Sequence, residues 1–117
     1  MRHFNYYEFD SPDVEGSGEN MNQEFLDMLD EARGLADIVF DVNSGYRTKA
    51  HNKKVGGKDN SSHLKGLAVD IKCNNSRSRH IIIDALMQVG FSRIGIADTF
   101  IHVDYDLEKA QNVIWTY

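Results

Sequence analysis

His63, Asp70 and His102 are the residues of this chain whose types best suit a metal ion. Each is a polar position in or beside an apolar stretch: His63 precedes the run from Leu67 to Ile71, Asp70 lies inside it, and His102 sits in Ile-His-Val-Asp. A catalytic zinc ion typically takes three protein ligands of imidazole and carboxylate type and keeps a fourth position for water. These three residues supply that set. Cys73 is the only cysteine, so neither an internal disulfide nor a thiolate-rich structural zinc site is open to the chain. Residue types alone also admit a plainer reading. One His and one Asp seven residues apart can be unrelated surface groups, and a lone strand histidine can be a hydrogen-bonded structural residue.

Spacing supports the metal reading. Gly66 lies between His63 and Asp70 and permits a tight bend that brings a loop histidine alongside a strand carboxylate. Ala68 shares the face of Asp70 and leaves room above it. Further along, Ile101, Val103 and Tyr105 point one way while Phe100, His102 and Asp104 point the other, opposite the expected core.

The elements that must position these residues follow from periodicity and punctuation. Asp10 to Asn20 holds the only proline, Pro12, with Gly16, Ser17 and Gly18, and reads as an irregular loop. Asn22 caps a helix through Ala36 in which Phe25, Leu29, Ala32 and Ala36 form a core stripe. Ile38 to Val42 reads as a strand entering an Asn43-Ser44-Gly45 turn. Thr48 caps a short helix through Val55, which Gly56 and Gly57 stop, and a polar loop follows to Ser62. Leu67 to Lys72 has the period of a half-buried strand. Ser78 precedes a helix with Ile81, Ile82, Ala85, Leu86 and Val89 on one side, closed by Gly90. Strands are expected at Arg93 to Ala97, Phe100 to Tyr105 and Val113 to Tyr117, with a loop around Asp106 to Asn112. Strands dominate the second half without βαβ alternation, which predicts an α+β fold with a largely antiparallel sheet and flanking helices. At 117 residues one domain is expected, spanning 1–117 with an irregular segment at 1–20.

Bulk properties exclude some partners. A formal charge of -5 without a long basic run argues against generic binding to nucleic acid, and no stretch approaches a membrane span. The one basic concentration, Lys49, Lys53, Lys54 and Lys58, reads as a solvated helix face. The N-terminus shows no apolar secretion signal. Cys73 reads as a small residue at a strand end, and His3, His51 and His80 as solvent-facing. Tyr6, Tyr7, Phe9, Trp115 and Tyr117 are expected at the core edges, and Tyr46, beside Arg47, at the border of a substrate groove.

Ser61 to Asp70, SSHLKGLAVD, matches S-x-H-x-x-G-x-A-x-D. This resembles the signature of the zinc D-Ala-D-Ala carboxypeptidase and L-alanyl-D-glutamate peptidase group. SGYRT at Ser44 to Thr48 is similar to the group's upstream arginine motif, FIHVD at Phe100 to Asp104 to its downstream histidine motif, and the three occur in family order across residues 43–104. The resemblance implies a hedgehog/DD-peptidase type fold and a single zinc ion on His63, Asp70 and His102. It also implies that Arg47 binds a substrate carboxylate or the developing oxyanion and that Ser61 lines the substrate site. Many relatives carry a Glu or Asp three residues before the last histidine ligand, where this chain has Thr99. Two carboxylates are candidates for the general base. Asp104 shares a strand face with His102, and the HVD ending recurs in a short-chain branch of the group; Asp98 could be placed by a turn. Each also has a structural reading, Asp104 as a hydrogen-bond acceptor that orients a ligand histidine and Asp98 as a turn residue.

The expected activity is hydrolysis of peptide bonds in peptidoglycan stem peptides or cross-links, by a monomer acting in the periplasm or at the cell wall. A phage endolysin released by a holin-type route and a bacterial wall-remodelling enzyme both fit. The alternative is a non-catalytic, zinc-stabilised wall-binding domain on the same scaffold.

Overall fold

A computed structural model describes all of residues 1–117. Its frame is a five-stranded sheet backed on one face by two helices. Helix α1 (Gln23–Ala36) starts where the Asn22 side chain accepts the Phe25 backbone N–H, and buries Phe25, Leu26, Leu29 and Ala32. Helix α2 (Lys49–Lys54) is capped by Thr48, whose hydroxyl accepts the His51 N–H, and Gly56 follows in the left-handed conformation. Helix α3 (Ser76–Gln88) is capped by Asn75 rather than at Ser78: the Asn75 side chain accepts the Ser78 N–H, so the helix begins earlier than its apolar stripe indicates.

The strands are β1 (Val42–Ser44), β2 (Ala68–Lys72), β3 (Arg93–Ile96), β4 (Phe100–Asp104) and β5 (Val113–Thr116), in the order β1-β2-β4-β3-β5. Pairing is antiparallel except between β3 and β5, which run parallel. The loop from Tyr105 to Asn112 crosses the start of β3, where Arg93 Nη1 donates to the Ala110 carbonyl, and delivers β5 to the free edge of β3 running parallel to it. The first strand lies at Val42–Ser44 rather than Ile38 to Val42, because β1 takes its register from Ile71 and Asp70 on β2.

Alternation divides the sheet into two faces. Val69, Ile71, Ile94, Ile101 and Val103 turn toward α1 and α3 and join Phe4, Phe9, Phe25, Phe40 and Leu86 in one buried cluster. Asp70, His102 and Asp104 turn to the opposite face. No helix is long and apolar enough to cross a membrane.

Candidate metal centre

Register places the ligand candidates side by side. Asp70 on β2 stands directly opposite His102 on β4. His63 comes from a 3-10 turn, Ser62–Lys65, whose start is capped by the Ser61 hydroxyl accepting the His63 N–H. Gly66 ends the turn at φ +70, a left-handed conformation that glycine adopts without the penalty of a Cβ. The bend expected at this glycine is thus present.

Each histidine is fixed by its outer nitrogen and turns the inner one to the same carboxylate oxygen. His63 Nδ1 lies 2.8 Å from the Gly45 carbonyl and its Nε2 lies 3.4 Å from Asp70 Oδ1. His102 Nε2 lies 2.8 Å from Asp104 Oδ2 and its Nδ1 lies 2.9 Å from Asp70 Oδ1. The ligand atoms of His63, Asp70 and His102 all fall within 4.8 Å of one another. Two imidazole nitrogens and one carboxylate, each pre-oriented by a partner behind it, fit a zinc ion with an open fourth position.

The electrostatics agree with this tight grouping. Burial by itself raises the pKa of the Asp70 carboxyl, but hydrogen bonds to His102 and His63 outweigh it and hold the group well below the usual carboxylate range. Burial likewise lowers that of His102, while its bonds to Asp104 and Asp70 carry the net shift upward. Asp104 is 2% exposed, and its shift is downward: burial opposes ionisation, and His102 and Arg93 overcome it. Arg93 Nε donates to Asp104 Oδ1 at 2.7 Å, and the Asp106 N–H donates to the same oxygen at 3.2 Å.

These residues floor a cleft of about 480 Å³. Arg47, Lys58, Arg93 and Lys109 line it, against two carboxylates, Asp70 and Asp104. The lining is cationic although the chain as a whole is acidic. Arg47 is aimed by three acceptors: Nε donates to Ser44 Oγ at 3.0 Å, Nη1 to Asn52 Oδ1 at 3.3 Å and Nη2 to Asp70 Oδ2 at 3.4 Å. Ser61 also lines the cleft. Two of the sequence candidates lie elsewhere. Tyr46 is partly buried against the apolar core, where its backbone N–H donates to the Phe9 carbonyl at 2.9 Å, and it does not line the cleft. Asp98 is exposed in the short β3–β4 turn, closed by the Ala97 N–H bonding the Phe100 carbonyl, and does not line the cleft.

Four residues at or beside the cleft have no signal in the sequence. Arg93, Asn52, Lys109 and Trp115 were marked by no motif. Lys109 donates to the Asn60 carbonyl at 2.8 Å and to Ser62 Oγ at 2.9 Å, and Ser62 in turn donates to buried Asp106 at 2.7 Å. This network ties the loop after β4 to the turn carrying His63. Trp115 and Tyr117, expected at the core edges, line the cleft instead, since β5 joins the sheet with Trp115 on the same face as His102. Tyr6 and Tyr7 are exposed, and Phe9 is fully buried.

A mixed five-stranded sheet with flanking helices presents a His-Asp-His group at the floor of an open cleft, a ligand set able to hold a metal ion of the kind metal-dependent hydrolases use. The Peptidase M15 profile matches residues 3–104, and the chain belongs to that family, the zinc D-Ala-D-Ala carboxypeptidase family. Peptidases of this family are zinc-dependent, in keeping with the ligand group. No match was found among curated proteins.

Proposed function

We propose that the chain is a zinc peptidase that hydrolyses peptide bonds in peptidoglycan stem peptides or cross-links. The observation that carries this reading is the convergence of His63 Nε2 and His102 Nδ1 on Asp70 Oδ1, with both outer nitrogens already held. A zinc ion bound there supplies water of lowered pKa and polarises the scissile carbonyl.

The chain's own residues supply the rest. Arg47 presents a permanently charged fork held by Ser44, Asn52 and Asp70, suited to a substrate carboxylate or an oxyanion. Ser61 borders the same space. The cationic lining favours a peptide rich in carboxylates, which peptidoglycan stems are. Asp104 is the one carboxylate of the cleft outside the ligand set, and both its oxygens are already engaged by Arg93, His102 and the Asp106 amide. That geometry favours an orienting role for Asp104 over proton transfer.

Mass spectrometry of purified peptidoglycan digested with the zinc-loaded protein tests the reading. New muropeptides shortened or unlinked at a peptide bond are expected, and their identity separates carboxypeptidase from endopeptidase cleavage. Stoichiometric zinc with no cleavage of any wall preparation would instead favour the wall-binding alternative. We place the site of action at the periplasm or cell wall, with a monomer as the working unit.

A further inference from the structure

The cross-strand row carrying the metal centre continues past His102. Across the sheet, Ser44 stands opposite Asp70, Asp70 opposite His102, His102 opposite Gly95, and Gly95 opposite Trp115 on β5. Gly95 contributes no side chain, and the Trp115 indole occupies the space it leaves. A Cβ on Gly95 would stand 2.7 Å from Trp115 Cε2 and Nε1. The indole thus leans across one empty place in the row to His102, with ring centroids 5.5 Å apart and planes at 49°. Against the same indole, the Arg93 guanidinium carbon lies 5.0 Å from the ring centroid. Arg93 is the cation that holds Asp104, and Asp104 holds His102 Nε2.

Two hydrogen bonds restrain an imidazole in its plane but leave it free to tilt about the line joining the two acceptors. An aromatic ring tilted against the imidazole at 49° limits that freedom, and a guanidinium set over the same indole steadies the carboxylate's other partner. We propose that Trp115, seated over Gly95, is a positioning residue that sets the tilt of His102 and steadies the Arg93–Asp104 pair behind it, so that His102 Nδ1 stays aimed at the metal position. Both Trp115 and the strand that carries it lie beyond the residues matched by the family profile. The proposal rests on the metal-centre reading above.

Zinc affinity by chelator competition and the absorption spectrum of the cobalt-substituted protein test it on Trp115→Ala, Trp115→Phe and Gly95→Ala. Trp115→Ala and Gly95→Ala are expected to weaken zinc binding about 10-fold, the scale of losing a residue that orients a ligand, and to shift the cobalt bands. Trp115→Phe, which keeps an aromatic face, is expected to retain both. Melting temperature in the presence of EDTA separates this from loss of fold, and Gly95→Ala carries the test if Trp115→Ala does not fold. Unchanged zinc affinity and cobalt spectrum in a folded Trp115→Ala or Gly95→Ala protein would overturn the proposal, as would Trp115→Phe losing as much as Trp115→Ala. Failure of the unsubstituted chain to bind zinc is a different result: it overturns the metal-centre reading itself, and this proposal with it.

Discussion

His102 Nε2 and Asp104 Oδ2 lie 2.8 Å apart on alternate residues of one strand, and the same carboxylate is gripped by Arg93 at 2.7 Å. A carboxylate behind a metal-binding imidazole fixes its tautomer and direction, and its loss typically costs 10–100-fold in metal affinity. Asp104→Ala is therefore expected to weaken zinc binding by about 10–100-fold as well as to reduce cleavage. Isothermal titration with zinc decides the matter. Undiminished zinc affinity with a fall confined to kcat would assign Asp104 to proton transfer instead.

Arg47 reaches the cleft as a guanidinium held at three points, and only a planar fork satisfies Ser44, Asn52 and Asp70 together. Arg47→Ala is expected to lower kcat/KM on wall peptides by about 10²–10³, the range for removing one preorganised donor to a developing oxyanion. Arg47→Lys should restore little, because a single ammonium cannot make all three bonds. Zinc content measured on the same preparations should stay stoichiometric, since Arg47 is not a ligand.

Asp106 anchors the loop after β4 to the His63 turn, with its side chain buried beneath Lys65, Lys109 and Ser62. Burial works against its ionisation, yet the Ser62 and Lys65 bonds keep its pKa below the ordinary value. A carboxyl whose pKa is lower folded than unfolded stabilises the fold fully above the unfolded value of about 3.9 and loses that contribution as pH falls through the folded value. Asp106→Asn should therefore cost about 1–3 kcal/mol at neutral pH. Melting curves of the two proteins should converge as the pH is taken below about 4.

Gly66 combines a φ of +70 with a close approach to the chain before α1: a Cβ there would stand 2.3 Å from the Asn20 carbonyl oxygen and 2.9 Å from Met21 Cα. Both are backbone atoms, so no rotamer change relieves the contact. Its own carbonyl accepts the N–H of Asn22, the cap of α1. Gly66→Ala is expected to destabilise by about 1–3 kcal/mol from the left-handed conformation, with the clash adding to that. Chemical denaturation in EDTA should show the loss without metal, which identifies it as a backbone effect rather than a ligand effect.

The sequence by itself determined the local vocabulary of this protein: capped helices at Asn22 and Thr48, alternation in β2 and β4, and the candidate ligands His63, Asp70 and His102. These were legible because periodicity, caps and the motif from Ser61 to Asp70 act over a few residues, within reach of near-neighbour chemistry. Asp104 was legible on the same ground, sharing a strand face with His102. Tertiary structure alone decided which residues stand beside one another across strands. The parallel pairing of β5 with β3, the seat of Trp115 over Gly95, the grip of Arg93 on Asp104 and the tie from Lys109 to Ser62 depend on register between segments far apart in the chain. Register is set by burying one whole face of the sheet against α1 and α3, a collective balance that no short window of residues contains. The same balance left Asp98 in an exposed turn and drew Tyr46 against the core, although Tyr46 adjoins Arg47 and Asp98 lies four residues before His102.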